Sequence, residues 1–152
     1  MAIIEYFSQS LDQRKHWMKE LEKADWEAGK SLCHRIQTNT LIPKTKEDPK
    51  LYLMTTDQNE LMAYAILAQK DDIQDTSLSP WIGYVYTYPA YRGQKLAQKL
   101  LTYCENQAKA QGNRAIYIAT SHEGLYERYG YEFLDSMLDM HGHLSRVYQK
   151  TL

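Results

Sequence analysis

Long apolar runs are missing from this sequence. The longest, Leu61–Ala68, falls far short of the ~20 residues that span a bilayer. Charge is close to balanced, with 18 Lys and Arg against 19 Asp and Glu and a formal net charge of −1. No overall field draws the protein to nucleic acid or to a membrane surface, and neither is expected as a partner. Cysteine is scarce. Cys33 and Cys104 fall in predicted helices with no metal-site or redox spacing, which fits buried, idle thiols in a reducing cytoplasm better than a disulfide. The first ten residues, MAIIEYFSQS, lack the basic start and long apolar stretch of a signal peptide, so a cytoplasmic location is expected. Low-complexity linkers and internal repeats are absent as well, which leaves a single domain over residues 1–152.

What is present suits a soluble globular chain. An apolar content of 43% and a charged content of 24% are ordinary, and the length suffices for a sizeable core. Thirteen tyrosines are many; strands are where such rings pack while the hydroxyl reaches water or a partner. Ala2–Phe7 reads as an edge strand. Ser10 and Gln13 have capping-box spacing and open a helix with Leu11, Trp17, Met18, Leu21 and Ala24, closed by Gly29. A shorter helix holds Leu32, Cys33 and Ile36, followed by a loop through Pro43 and Pro49.

Leu51–Thr56 and Leu61–Gln69 read as a β-hairpin across a polar turn. The loop Lys70–Pro80 then carries Asp71, Asp72 and Asp75. Beyond residue 112 the sequence predicts a buried strand Ala115–Thr120 and a short helix Gly124–Tyr129. Two last strands, Tyr131–Met140 and Arg146–Lys150, are joined by His141-Gly142-His143. Two histidines without a third ligand in view are poor evidence for a metal, and a solvated turn is expected.

The most informative stretch runs from Trp81 to Gly112. Trp81–Tyr86 is rich in aromatic and β-branched residues and fits a strand. After Pro89, the run Arg92-Gly93-Gln94-Lys95-Leu96-Ala97 turns into a helix whose apolar face holds Leu96, Ala97, Leu100, Leu101, Cys104 and Ala108. A strand, a Gly-containing turn and a helix N-terminus make a site for anionic phosphate, because first-turn amides lack helical partners and the macrodipole is positive there. An ordinary strand-to-helix connection with solvated basic residues is the competing reading.

Val85-Tyr86-Thr87-Tyr88-Pro89-Ala90-Tyr91-Arg92-Gly93-Gln94-Lys95-Leu96-Ala97 resembles the acetyl-coenzyme A signature of the GNAT acetyltransferases, an apolar strand end and a proline followed by Arg/Gln-x-x-Gly-x-Gly/Ala. Gly124-Leu125-Tyr126-Glu127-Arg128-Tyr129-Gly130-Tyr131 resembles the family's second landmark, Tyr-x-x-x-Gly-aromatic, in the right order. The resemblance implies an α/β protein of the GNAT fold: a central mixed sheet of six to seven strands flanked by about four helices. In it the strands either side of the long helix run parallel and splay apart. One position departs: Lys95 stands where the family has glycine. The lysine either loosens the phosphate cradle or points outward to pair with a phosphate, and the intact Arg92, Gly93 and Ala97 favour the second.

What the resemblance implies chemically is an N-acetyltransferase with acetyl-CoA as cosubstrate and no metal. The acceptor would be a primary amine of a small molecule or a protein. Arg92, Gly93, Gln94, Lys95, Leu96 and Ala97 would hold the pyrophosphate. Val85, Tyr86 and Thr87 would take the pantetheine as an added strand and aim an amide at the thioester carbonyl. Tyr126 matches the tyrosine that touches the coenzyme and protonates the departing sulfur; it either does so or only packs and orients. The strand Trp81–Tyr86 carries no carboxylate, unlike family members with a glutamate there. His122 is therefore a candidate proton acceptor, and Asp71, Asp72 and Glu123 are candidates for binding the acceptor amine. The acceptor itself is shaped in this family by the N-terminal helices and the region 51–80. A homodimer through the terminal hairpin is a further expectation. The rival from a different class is a catalytically weak acyl-CoA-binding or sensor module of the same fold, motivated by Lys95 and the missing strand carboxylate.

Overall fold

The computed structural model describes residues 1–41 and 48–152. Pro43, expected in a loop, lies outside the described residues. One seven-stranded sheet runs in the order β1-β2-β3-β4-β5-β7-β6. Its strands are β1 (Ala2–Glu5), β2 (Lys50–Thr55), β3 (Leu61–Ala68), β4 (Trp81–Thr87), β5 (Ala115–Thr120), β6 (Glu132–Leu138) and β7 (Leu144–Thr151). Neighbours are antiparallel except β4 and β5, which run parallel. Helix α3 (Leu96–Ala110) is the crossover between those two, as a parallel pair requires. Helices α1 (Leu11–Glu22) and α2 (Glu27–Gln37) precede β2.

The two sheet faces are sorted by the alternation along β3. Ala63, Ala65 and Leu67 pack with Leu96, Leu100, Leu101, Cys104 and Ala108 of α3. Tyr64, Ile66 and Ala68 turn to the other face and meet Trp17, Leu21, Leu32 and Cys33 of α1 and α2. With helices on both faces every residue of β3 is buried, which is why its sequence is apolar throughout rather than alternating. Cys33 and Cys104 are free and buried. Burial pushes the Cys33 thiol up to about 11 and the Cys104 thiol upward too, so both are poor nucleophiles.

Ser10 caps α1 as expected, its Oγ accepting from the Gln13 amide at 3.2 Å while Gln13 returns a bond to the Ser10 amide. The helix ends earlier than expected, at Glu22. Gly29 is not its terminator; it lies inside α2. Trp26 breaks the run by stacking on Tyr86 of β4, with ring centroids 5.1 Å apart. A Cβ at Gly29 would sit 2.7 Å from the Tyr64 hydroxyl, so this glycine serves close packing of α2 on the sheet. The segment expected as a fourth helix is a short 3₁₀ turn, Tyr126–Tyr129. Three α-helices are therefore present among the described residues. At the far edge β6 leaves Phe133, Leu134 and Leu138 exposed.

Candidate functional site

The site begins with a defect in β4. Gly83 is opposite Ile66 and Tyr86 is opposite Tyr64, so β4 spends one residue more than β3 over the same span. The extra residue is absorbed at Tyr84, whose φ is +51°. A left-handed conformation costs a side-chain-bearing residue roughly 1–2 kcal/mol. The packing of Tyr84 against the α1–α2 core holds it there. Bulges bend the strand that carries them, and β4 duly leaves its parallel neighbour: pairing with β5 is confined to Trp81–Tyr117 and Ile82–Ile118. From Gly83 to Thr87, β4 has no strand partner on that side among the described residues.

The parted strand runs straight into a turn and a helix start. Pro89–Tyr91 forms a 3₁₀ turn, Gly93 takes φ +85° and Lys95 φ +60°, and α3 begins at Leu96 without a side-chain cap. Arg92 through Lys95 are exposed. The unpartnered amides at this end face solvent together with two cations, which is what an anionic phosphate needs. Arg92 is partly committed: its Nε donates to the Thr87 carbonyl at 2.9 Å, and its guanidinium lies 5.6 Å from the Tyr86 ring centre. That fold-back ties the turn to the end of β4 and leaves the terminal NH₂ groups as donors.

Tyr126 lies in the core shared by α3, β5 and β7. Its ring meets Tyr129, Tyr131 and Tyr148 edge-on or tilted, at 6.1–6.5 Å. Burial pushes its hydroxyl up to about 12, so the phenol keeps its proton at neutral pH. The turn carrying it is pinned from behind. Tyr131 donates to the buried Glu105 carboxylate at 2.7 Å, and Lys150 bridges that carboxylate and the Tyr129 carbonyl at 3.0 and 2.8 Å. Gly130, at φ +88°, makes the reversal, and a Cβ there would press on Lys150 Cε at 3.3 Å.

On the α1–α2 face of β4 lies a cavity of about 540 Å³ lined by Gly83, Tyr84, Trp81, Asp71, Asp72 and Arg35 among others. Its roof is the β3–β4 loop, which crosses to the β6–β7 hairpin. Ile73 bridges to Asp139, the Gln74 amide donates to the Leu138 carbonyl at 2.9 Å, and the Met140 amide donates to Asp72 at 2.9 Å. Burial pushes the Asp71 carboxyl up to about 6; the Asp72 amide that bonds it and the Arg35 charge oppose the rise, while the Asp72 carboxylate adds to it. A larger cavity, about 760 Å³, lies between α1, α2 and the start of β2. It touches no residue of β4 or α3, so size does not mark the chemistry here.

The structure thus brings Val85, Tyr86 and Thr87 together with the 92–97 turn, and puts Asp71 and Asp72 in one cavity beside the bulge. His122 and Glu123 are elsewhere. Both are exposed in the loop after β5, outside the lining of that cavity, and Glu123 faces Arg146 at 3.5 Å. The His141–His143 turn is organised by Asp139, whose Oδ1 accepts from both amides at 2.9 Å.

Residues 13–131 match the family model of the acetyltransferase (GNAT) family. The chain belongs to the GNAT family. Solved structures agree on the fold. An aminoglycoside 6′-N-acetyltransferase from Enterococcus faecium superposes with a TM-score of 0.69 at 16% identity, over 99% of this chain and 97% of that one. A GNAT family N-acetyltransferase from Escherichia coli, solved in complex with CoA, gives 0.66 at 19% identity, over 99% of this chain and 80% of that one. A GNAT acetyltransferase from Staphylococcus aureus Mu50 gives 0.65 at 16% identity, over 99% and 98%. No curated protein matches the sequence. Lys95, which stands where the resembled motif has glycine, adopts the left-handed backbone that a glycine takes readily, at φ +60°. The Tyr84 bulge leaves no mark at its own position in the sequence, because an aromatic residue gives no local signal for positive φ. Gly83, alone in an otherwise β-forming run, is its one local sign.

Proposed function

We propose that this protein is an acetyl-CoA-dependent N-acetyltransferase that acetylates a primary amine of a small molecule or a protein by direct attack. The observation that carries the reading is the parting of β4 from β5 after Ile82, directly before the uncapped start of α3. A free strand edge suits an extended amide-bearing arm, and a row of helix-start amides suits a pyrophosphate. Val85, Tyr86 and Thr87 take the pantetheine through their backbone. The amides of Gly93–Ala97 hold the phosphates with Arg92 and Lys95, while an amide at the end of β4 steadies the developing oxyanion. Tyr126, kept protonated by burial, hands its proton to the leaving sulfur. Asp71 and Asp72 line the acceptor side. His122 and Glu123 lie in the exposed loop after β5, and no proton step is assigned to them. The exposed edge of β6 is where a second copy would pair.

The test is direct. The protein is mixed with acetyl-CoA and a panel of amines (a polyamine, an aminoglycoside, a lysine peptide), and free thiol is followed. Thiol release that depends on one amine class supports transfer. Acetyl-CoA binding without release across the panel favours the binding or sensor module, and no binding at all overturns the reading.

A further inference from the structure

We propose that Asp71, reaching over β4 from the β3–β4 loop, is the catalytic base that takes the proton from the acceptor amine, and that the cavity it lines admits the acceptor as a primary ammonium ion. The inference rests on the transferase reading and adds to it the residue and the charge of the substrate.

Four observations converge. First, β4 carries no carboxylate of its own, yet the Asp71 Oδ2 lies 3.1 Å from where a Cβ on Gly83 would be. A carboxylate delivered by the loop therefore occupies the place that a β4 side chain would fill, and the missing side chain of Gly83 is what makes room for it. Second, Gly83 immediately precedes the left-handed Tyr84, so the carboxylate stands at the point where β4 leaves β5 and its edge becomes free. Third, the carboxylate is aimed. Its Oδ1 accepts from the Asp72 amide at 2.6 Å, which fixes the group and turns Oδ2 toward Gly83. Fourth, the cavity has the size of a small-ligand site, about 540 Å³.

The charged and titratable groups facing Asp71 are few. Asp72, Asp75 and Lys70 come from its own loop, Arg35 from α2 and Tyr84 from β4. Arg35 is drawn to Asp72, its guanidinium 3.6 Å from the Asp72 carboxylate, so Asp71 has no ion-pair partner of its own among the described residues. Burial pushes its carboxyl up to about 6. That narrows the gap to an alkylammonium near ~10.4 while leaving the group ionised at neutral pH.

The step balances. Asp71 takes one proton from the ammonium, directly or through a water, and the freed lone pair forms the C–N bond to the acyl carbon. The C–S bond breaks with its electron pair going to sulfur, which receives the Tyr126 proton. The second amine proton, shed as the amide forms, returns to Tyr126 through solvent. Asp71 then releases its own proton, so each turnover yields one amide, one thiol and one proton.

The experiment is a pH profile of kcat/KM for the amine, at saturating acetyl-CoA, for the wild type and Asp71→Asn. Asn keeps an Oδ1 acceptor for the Asp72 amide, so the loop retains its anchor, and a thermal melt checks that it folds. The wild type should show an ascending limb near pH 6 besides the one belonging to the amine. In D71N that limb should vanish, with kcat/KM at pH 7.5 lower by about 100-fold and acetyl-CoA affinity by calorimetry unchanged. A D71N profile that keeps the limb, or turnover within about three-fold of wild type, overturns the role of Asp71 while leaving the transferase intact. A wild type that releases no thiol with any amine overturns both.

Discussion

The hydroxyl of Tyr131 donates to the Glu105 carboxylate at 2.7 Å, with both side chains buried between α3 and the last strands. Lys150 completes the cluster from β7, so the turn bearing Tyr126 is anchored on its hidden side by a satisfied charge pair. Removing one donor leaves a carboxylate oxygen buried without its partner. Tyr131→Phe should therefore cost about 2 kcal/mol of unfolding free energy. Urea denaturation would show it, and an unchanged midpoint would mean water replaces the hydroxyl.

Gly130→Ala attacks the same turn through the backbone. The residue sits at φ +88°, and the new methyl meets Lys150. We expect a loss of roughly 1–2 kcal/mol, together with a lower kcat as Tyr126 shifts. Wild-type melting and turnover in this variant would show that the turn tolerates the strain.

Lys95→Gly separates conformation from charge. The left-handed backbone at φ +60° becomes easier, offset by the greater freedom of glycine in the unfolded chain, so stability should change by less than about 1 kcal/mol. Affinity for acetyl-CoA should fall about five-fold at low salt, and the difference should shrink as salt rises. Tighter binding in the variant would identify the lysine as an obstruction.

Tyr126→Phe should lower kcat by about 100-fold while leaving the acetyl-CoA dissociation constant alone. Because burial pushes the phenol up to about 12, the wild-type rate should show no descending limb between pH 7 and pH 9.5. A limb there that disappears in the variant would show an ionisation far below the one expected.

Asp71 also carries a stability signature. Its carboxyl moves from 3.8 to about 6 on folding, so the folded state holds its proton more tightly than the unfolded one. Charged Asp71 then weakens the fold above pH 6, and that penalty fades as pH falls from 6 to 4. Asp71→Asn, relieved of the charge, should be more stable than wild type by about 1–2 kcal/mol at pH 8, the half-buried setting tempering the full shift. The two should melt alike at pH 4. Equal stability at both pH values would show that the carboxylate is solvated.

Local sequence signals decide several features of this fold. The Ser10–Gln13 cap, the β5 boundaries and the Arg92–Ala97 turn all follow from residues within a few positions of each other. Gly29 shows where such reading fails. A glycine near an expected helix end looks like a terminator, but this one is required by the Tyr64 hydroxyl pressing on it from another element. The exposed loop residue His122 was a reasonable site candidate by sequence position alone, yet it lines no part of the cavity beside the bulge.

By itself the sequence determined the strands, the three α-helices and the Gly-containing turn into α3, because periodicity, capping and turn chemistry act over a few residues. Only the tertiary structure decided that Tyr84 would take a left-handed backbone, that β4 would leave β5 after Ile82, and that a loop aspartate would settle over Gly83. Those outcomes depend on packing and burial between segments far apart in the chain. Lost hydration and core contacts, rather than local propensity, set their energies.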